Sequence, residues 1–493
     1  MGTSGPLVSY LLLLPRLVGC PFGYAAARVV GLLTIVGAIF FLYLAVRQIA
    51  RRPLARLAIV PTTVFFALTV RSDFVHYSGE LCPLLLLSVA LFCLAKLWRS
   101  STRDPGLMLI IGLIAGAVPF AKLQAALLAL LIGLTAMIIV ARRSSNTAES
   151  LRNCALMVLG GLTPLIAVLV LTWSTGCFEV FKRSYLLANL NYAGQGRSFA
   201  QSVSSFPEFF SQGELLTVCL KCEGLLGILA LITGAIITRR KSRQTKIAWL
   251  TRQEKQLLAF MLVVSGVTVY SVLAPGRHFP HYLQFLLIPG VLWFANCLVY
   301  LDRGLGILNL RRPHLATSSL VVLATTLIAI SSGIAAGRIP RPIGHMQAFL
   351  GSPIPPPVIA VKKIALPGQP IAIWGWMGEM FVDTGMWKAT RDTVLEYSVL
   401  SENQPAKPTT VDYKEIVPQF FQDLFLEDLQ KSNPPIFVDA VCPGCIAFHD
   451  RKRYGYETFP QLADYVDAHY RVVEEVCGVR IFLRKKDTPE NLK

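Results

Sequence analysis

Charge is what this sequence has least of for its length. Asp, Glu, Lys and Arg make up 15% of its 493 residues, and the mean hydropathy is +0.54. A soluble protein of that size needs a charged surface to stay in water, so a soluble fold with merely buried helices is excluded as the main architecture. Acidic residues are scarcest, 29 against 47 Lys and Arg, for a formal net charge of +18. That surplus is not a nucleic-acid footprint, because no polar stretch carries a basic patch with interleaved aromatic side chains. A glycine-rich phosphate loop, a hydrolase elbow, an internal repeat and a metal-binding motif are also missing, so nothing points to those soluble chemistries, and a need for a divalent metal stays open. The start, Met1-Gly2-Thr3-Ser4-Gly5-Pro6, has no basic region and no cleavable signal pattern.

What the chain has instead is apolar length. Ten stretches, near 24–46, 54–70, 81–97, 106–120, 124–141, 155–173, 216–238, 256–273, 282–301 and 315–337, are long enough, or nearly so, to cross a bilayer. At about 1.5 Å per helical residue, roughly 20 residues span a hydrocarbon core of about 30 Å. The segment Leu7 to Gly19, broken by Pro15 and Arg16, reads as an interfacial or re-entrant helix. These runs predict a polytopic α-helical membrane protein of about ten transmembrane helices over residues 1–337. A proline-rich linker follows over 338–370, and then a C-terminal α/β domain over 371–493. In the last, Ile371 to Trp376, Pro435 to Val441 and Val479 to Arg484 read as strands, and Tyr413 to Gln430 and Phe459 to Tyr470 as helices.

Loop charge sets the orientation. One alternate set of connections holds Arg47, Arg51, Arg52 and Arg56, then Lys96, Arg99 and Arg103, then Arg142, Arg143 and Arg152, the basic run from Arg239 to Lys255, and Arg303, Arg311 and Arg312. The opposite set has only Arg71, Lys122, Lys182, Arg183, Arg197 and Arg277. Cationic loops stay cytoplasmic, so the second set, the N-terminus and the C-terminal domain are expected outside. An outside N-terminus without a signal implies a further span and external loop upstream. Compact loops and the lack of a eukaryotic retention signal suggest a bacterial inner membrane.

Three polar turns fall on that outer side. The first is Arg71-Ser72-Asp73-Phe74-Val75-His76-Tyr77-Ser78-Gly79-Glu80, which crowds ionisable groups against the membrane edge, where charges are costly unless paired or used. Its bland reading is a solvated turn with Arg71 snorkelling. The second places Lys122, beside Gln124, in a turn with almost no loop to solvate it; it suits a lipid phosphate, or is an ordinary interfacial anchor. The third runs from Ala274 to Tyr282, where Arg277 offers a planar fork for phosphate, with His281 and Tyr282 at headgroup level. Convergence on one face is what a site for a membrane-embedded anionic lipid would show.

Among eleven cysteines, those in or at the spans read as small apolar residues. In the C-terminal domain Cys442-Pro443-Gly444-Cys445, with His449 and Cys477, favours a disulfide in an oxidising compartment, with a zinc site, a redox role or free thiols as alternatives. Trp374, Trp376, Trp387 and Arg391 are either sugar-stacking groups or core, and Asp439 either faces the membrane site or caps a turn.

The run Ser4-Gly5-Pro6-Leu7 leading to Tyr10, Ala27 and Arg28, the Ser78-Gly79-Glu80 turn, the Lys122-x-Gln124 turn and the Arg277 to Tyr282 turn with Pro289 resemble polyprenyl-phosphate-sugar-dependent glycosyltransferases of the GT-C class. The likeness is to glycosyltransferase family 39, the relatives of protein O-mannosyltransferases, over roughly residues 4–300, and it rests on the order and side of the turns. It implies a polyprenyl-phosphate sugar donor, a glycan, lipid or protein acceptor outside the membrane, and inversion at the anomeric carbon. In that class an acidic residue of the first external loop is the general base, and that loop would precede Ser4. Asp73 and Glu80 match the second acidic turn and are candidates to act there or to orient the acceptor or a divalent metal. Lys122, Arg277 and His281 would neutralise the leaving phosphate, and Gln124 and Tyr282 would help to bind it.

A transporter or flippase of a lipid-linked substrate would also use many spans, but it favours polar groups at mid-bilayer and matched halves. Charges inside these spans are nearly absent apart from Arg28, Lys221 and Glu223. A catalytically inactive relative serving as an assembly subunit is the third reading.

Overall fold

The computed structural model describes residues 4–69, 71–99, 104–144, 146–190, 197–242, 251–307, 354–391, 399, 413–445 and 448–485. The apolar runs form helices because they contain few charges and few internal breakers. Among the described residues seven helices are long and apolar enough to cross a membrane: Tyr24–Val46, Leu81–Arg99, Leu123–Arg143, Thr147–Ser174, Leu215–Ile236, Gln253–Leu273 and Pro280–Arg303. Pro105–Ala121 is a shorter apolar helix. The main helices are α1 (Tyr24–Val46), α2 (Leu81–Arg99), α3 (Pro105–Ala121), α4 (Ala126–Arg143), α5 (Thr147–Ser174), α6 (Leu215–Ser242), α7 (Arg252–Leu273) and α8 (Leu287–Ile307).

Of the ten expected runs, that at 315–337 lies outside the described residues. The run near 54–70 is two short helices, Arg52–Ala58 and Val60–Leu68, rather than one span. The break falls at Ile59, two residues before Pro61, whose ring and missing N–H favour a new helix start over continuation. The N-terminal segment is likewise two short helices, Pro6–Leu11 and Leu14–Leu17. Val8 packs there against Cys82 and Ala121, beneath the ends of α2 and α3.

Glycine sets the closest helix pair. A Cβ on Gly112 would lie 2.0 Å from the Met157 carbonyl oxygen, and one on Gly116 2.2 Å from that of Gly161. The four-residue spacing lets the backbones of α3 and α5 touch, the small-xxx-small geometry of membrane helices.

The C-terminal region contains α9 (Pro356–Ile364), β1 (Pro370–Trp374), α10 (Glu379–Thr384), β2 (Trp387–Lys388), α11 (Tyr413–Ser432), β3 (Ile436–Asp439), α12 (Pro460–His469), β4 (Tyr470–Val476) and β5 (Val479–Arg484). The sheet order is β2-β1-β3-β5-β4, with β1 parallel to β2 and β3, and β5 antiparallel to β3 and β4. Strands β1 and β3 are buried on both faces and read as continuous apolar runs, as a covered parallel pair requires. Helix α9 falls inside the stretch expected to be linker, and its Val358, Ala360 and Val361 pack into the core with Ile371, Ile436 and Ile481.

This domain rests on one end of the helical bundle. Phe22 and Trp387 meet edge to face at 5.7 Å, Arg183 stacks over Phe420 at 4.5 Å, and Val180 and Ala188 pack with Phe421 and Leu424.

Candidate functional site

The three polar turns meet at that same end of the bundle. Glu80, just before α2, accepts a short hydrogen bond from Lys122, which follows α3, and its Oε1 lies 3.8 Å from His281 Nε2. Asp73 Oδ1 is 3.5 Å from His281 Nδ1, and Asp73 Oδ2 accepts from Arg71 Nε at 2.7 Å. Arg71 also reaches Glu214 at 3.3 Å. Lys122 sits over the Tyr282 ring at 5.1 Å from its centroid. One chain of charge therefore runs Glu214–Arg71–Asp73–His281–Glu80–Lys122.

Local structure holds each member. Lys122 leaves the helical conformation at the end of α3, with φ −158° and ψ 120°, and so turns inward. Gly79 leaves the room it turns into: a Cβ there would lie 2.2 Å from Ser4 Oγ and 3.6 Å from Lys122 Nζ. The Gly5 amide donates to the Ala121 carbonyl at 2.8 Å, and Tyr77 Oη donates to the Val8 carbonyl at 2.8 Å. The N-terminal segment is thereby tied beneath the turns. His281 opens the 3-10 segment Pro280–Leu286, stacked on Phe279 at 5.4 Å.

Burial divides the chain into two parts. The Glu80 and Lys122 side chains are 2% and 4% exposed, whereas Arg71, Asp73 and His281 are 27%, 29% and 23% exposed. The inner pair is nearly sealed from solvent and mutually neutralising, and the outer three are partly open to solvent. Burial alone would push the Asp73 carboxyl up, but hydrogen bonds and charge from Arg71 and His281 outweigh it and hold the group below its ordinary value. The same contest at Glu80, burial against Lys122 and His281, also ends below the ordinary value. Both carboxylates are ionised at neutral pH.

Beside Lys122 lies a cleft of about 300 Å³ lined by Lys122, Gln124, Asn189, Tyr270, Ser271 and Tyr282 among others. Gln124 is fixed there by donating Nε2–H to the Ser271 carbonyl at 2.7 Å. Arg277, half-buried, stands in the bend at Gly276, where the Gly276 carbonyl accepts from the Arg197 amide at 3.0 Å. His278 takes no part in the chain; its Nδ1 is 2.6 Å from Arg197, its ring stacks on Phe209 at 4.5 Å, and burial with the nearby cation holds its pKa down.

The structure thus gathers Asp73, Glu80, Lys122, Gln124, His281 and Tyr282 at one end of the bundle, with Arg277 in the adjoining turn. Sequence reading missed Glu214, which holds Arg71 and which nothing in its local sequence marks; Ser4, quoted there only for the resemblance, fills the space over Gly79. Among the described residues no group of three or more His, Cys, Asp or Glu side chains is placed to hold a metal ion.

Expectations for the C-terminal domain change more. Trp374 is 1% exposed and its Nε1 donates to the Tyr454 carbonyl at 2.8 Å, so it is core and cannot stack on a sugar. Trp376 and Trp387 remain 43% and 54% exposed. Arg391 is engaged by Asp428 at 2.7 Å and Glu427 at 2.9 Å. Asp439 is fully buried; it caps the Val441 amide and accepts from Arg480, so it does not face the membrane site. The favoured disulfide is not formed, and all eleven cysteines are free thiols.

No protein-family model and no curated protein matches the chain. Among solved structures it is similar to the Archaeoglobus fulgidus oligosaccharyltransferase in complex with zinc and sulfate, with TM-score 0.40 and 11% sequence identity, over 89% of this chain and 59% of that one. The chain therefore spans less than two thirds of that neighbour's length, and a likeness at this distance assigns no activity.

Proposed function

We propose that the protein is a membrane glycosyltransferase that moves a sugar from a polyprenyl-phosphate donor to a glycan, lipid or protein acceptor at the extracytoplasmic face. The observation that carries this reading is the meeting of three turns, far apart in sequence, in one charged cluster beside a largely apolar cleft with Lys122 in its wall, at the end of the bundle that carries the α/β domain. Residues 1–337 would be the catalytic membrane unit and 371–493 its cap.

In this reading Asp73 is the carboxylate that receives the acceptor proton, because it is ionised and solvent-reachable, with Arg71 and His281 fixing its two oxygens. Glu80 positions Lys122 and leaves its ammonium at the cleft wall. Arg277 and His281 meet the phosphate as the glycosyl bond breaks and negative charge grows on the leaving oxygen. Gln124 and Tyr282 orient the departing group.

The test is transfer of radiolabel from polyprenyl-phosphate sugars into product by membranes carrying the protein. Arg277→Ala and His281→Ala are expected to lose transfer at normal expression. Full activity in both variants overturns the phosphate roles, and no transfer by the unaltered protein from any donor of this class overturns the reading. A transporter would move labelled lipid between leaflets without product.

A further inference from the structure

The parallel strands β1 and β3 end side by side, and β3 runs into Cys442-Pro443-Gly444-Cys445. The Cys445 amide donates to the Cys442 carbonyl at 2.9 Å, which closes these four residues into one tight turn with both thiols on it. The two sulfurs differ. Cys442 is 6% exposed, in the core with Ile436, Val438 and Val479. Cys445 is only half-buried; its sulfur accepts from the Phe448 amide at 3.4 Å and lies 4.0 Å from the Trp376 carbonyl. Such a pair, one sulfur reachable and one sheltered on a single turn after the carboxyl ends of the parallel strands β1 and β3, is laid out for stepwise exchange.

We propose that Cys442 and Cys445 form a reversible dithiol–disulfide site that exchanges with an incoming disulfide, with Cys445 attacking first. The Cys445 thiolate bonds to one sulfur of that disulfide, whose other sulfur leaves as a thiolate and takes up a proton. Cys442 then loses its proton, attacks the Cys445 sulfur in the mixed disulfide, and expels the second thiol. Two thiols become one S–S bond in the turn, and two electrons pass to the incoming disulfide, which ends as two thiols. Burial pushes the Cys442 thiol up, which keeps it from competing for the first attack. The bridge would tie the exit of β3 beneath the exposed Trp376. The site is independent of sugar transfer.

The purified full chain, equilibrated in mixtures of reduced and oxidised glutathione, acid-quenched, alkylated and mapped by mass spectrometry, tests this. A Cys442–Cys445 bridge is expected in the oxidising mixtures, reversed by dithiothreitol, with Cys477 alkylated throughout. Cys442→Ser should accumulate glutathione on Cys445, and Cys445→Ser should leave Cys442 reduced. Persistent alkylation of both thiols in oxidised glutathione, a bridge to Cys477 instead, or glutathione trapped on Cys442 each overturns the proposal. If a serine variant fails to fold, mapping of the unaltered chain and of Cys477→Ser decides the outcome alone.

Discussion

Glu80 and Lys122 show how much of the site rests on single atoms. Each is nearly sealed from solvent, and each charge is tolerated because the other is present. Glu80→Gln leaves a buried ammonium without its counter-ion, a change that costs about 3–5 kcal/mol. We expect a large fall in melting temperature in detergent. Asp73→Asn, at a more open position, should lower melting far less than Glu80→Gln and abolish sugar transfer; the reverse pattern would exchange the two roles. The pH dependence follows with a definite sign. Both carboxyls lie below their ordinary values when folded, so the unfolded chain binds more protons at acid pH. Their contribution is whole above a pH of about 4, the ordinary carboxyl range, and is lost as pH falls through the depressed folded values. Melting temperatures measured from neutral to acid pH should therefore fall more steeply for the unaltered protein than for the Asp73→Asn, Glu80→Gln double variant. Parallel curves would rule this out. The turns themselves were legible in sequence, because charge at a membrane edge stands out. Their pairing was not: Lys122 is 42 positions from Glu80, and His281 is 208 from Asp73.

At the scale of elements, legibility followed how far local pattern decided the outcome. Tyr24–Val46 and Val479–Arg484 lie where their apolar runs place them. The expected span at 54–70 failed because total hydrophobicity hid the proline at its third turn of sequence, where two short helices replace one. Strand β4 was missed because five of its seven residues are exposed and it carries Arg471, Glu474 and Glu475, with no alternation to read. That charge suits an edge strand, where it discourages pairing with another chain. Helix α9 was hidden by Pro355, Pro356 and Pro357, which read as linker but serve as a helix start. The α3–α5 contact yields a sharp expectation. Since a Cβ at Gly112 or Gly116 would overlap backbone atoms of α5, Gly112→Leu must push the helices apart at a cost of about 1–3 kcal/mol or more. Gly133→Leu is the control, because a Cβ there meets only the Met157 side-chain end at 3.5 Å. Thermal aggregation in detergent should come earlier for the first variant and change little for the second; equal effects would mean that the close approach is not required.

For the whole molecule, two independent lines bear on sidedness. Lys and Arg crowd one set of connections and are sparse in the other, and cationic loops stay cytoplasmic. Separately, packing brings Phe22 of the N-terminal segment and Val180 and Arg183 of a sparse-set connection against Trp387, Phe421 and Phe420 of the C-terminal domain. The charge pattern speaks to which side of the membrane, and the packing speaks to which elements share a side. In the proposed topology both would place the polar turns and the α/β domain on one face of the membrane. Labelling of intact cells with a membrane-impermeant maleimide tests both at once, in a background whose native cysteines are replaced. Phe279→Cys and Trp387→Cys, at positions 45% and 54% exposed, should react without permeabilisation. Arg51→Cys, whose native side chain is 82% exposed at the opposite end, should react only after the membrane is opened. If Phe279→Cys and Trp387→Cys part company, the domain does not cover the site. If both need permeabilisation while Arg51→Cys does not, the charge rule has been read upside down, and transfer would have to take place on the cytoplasmic face.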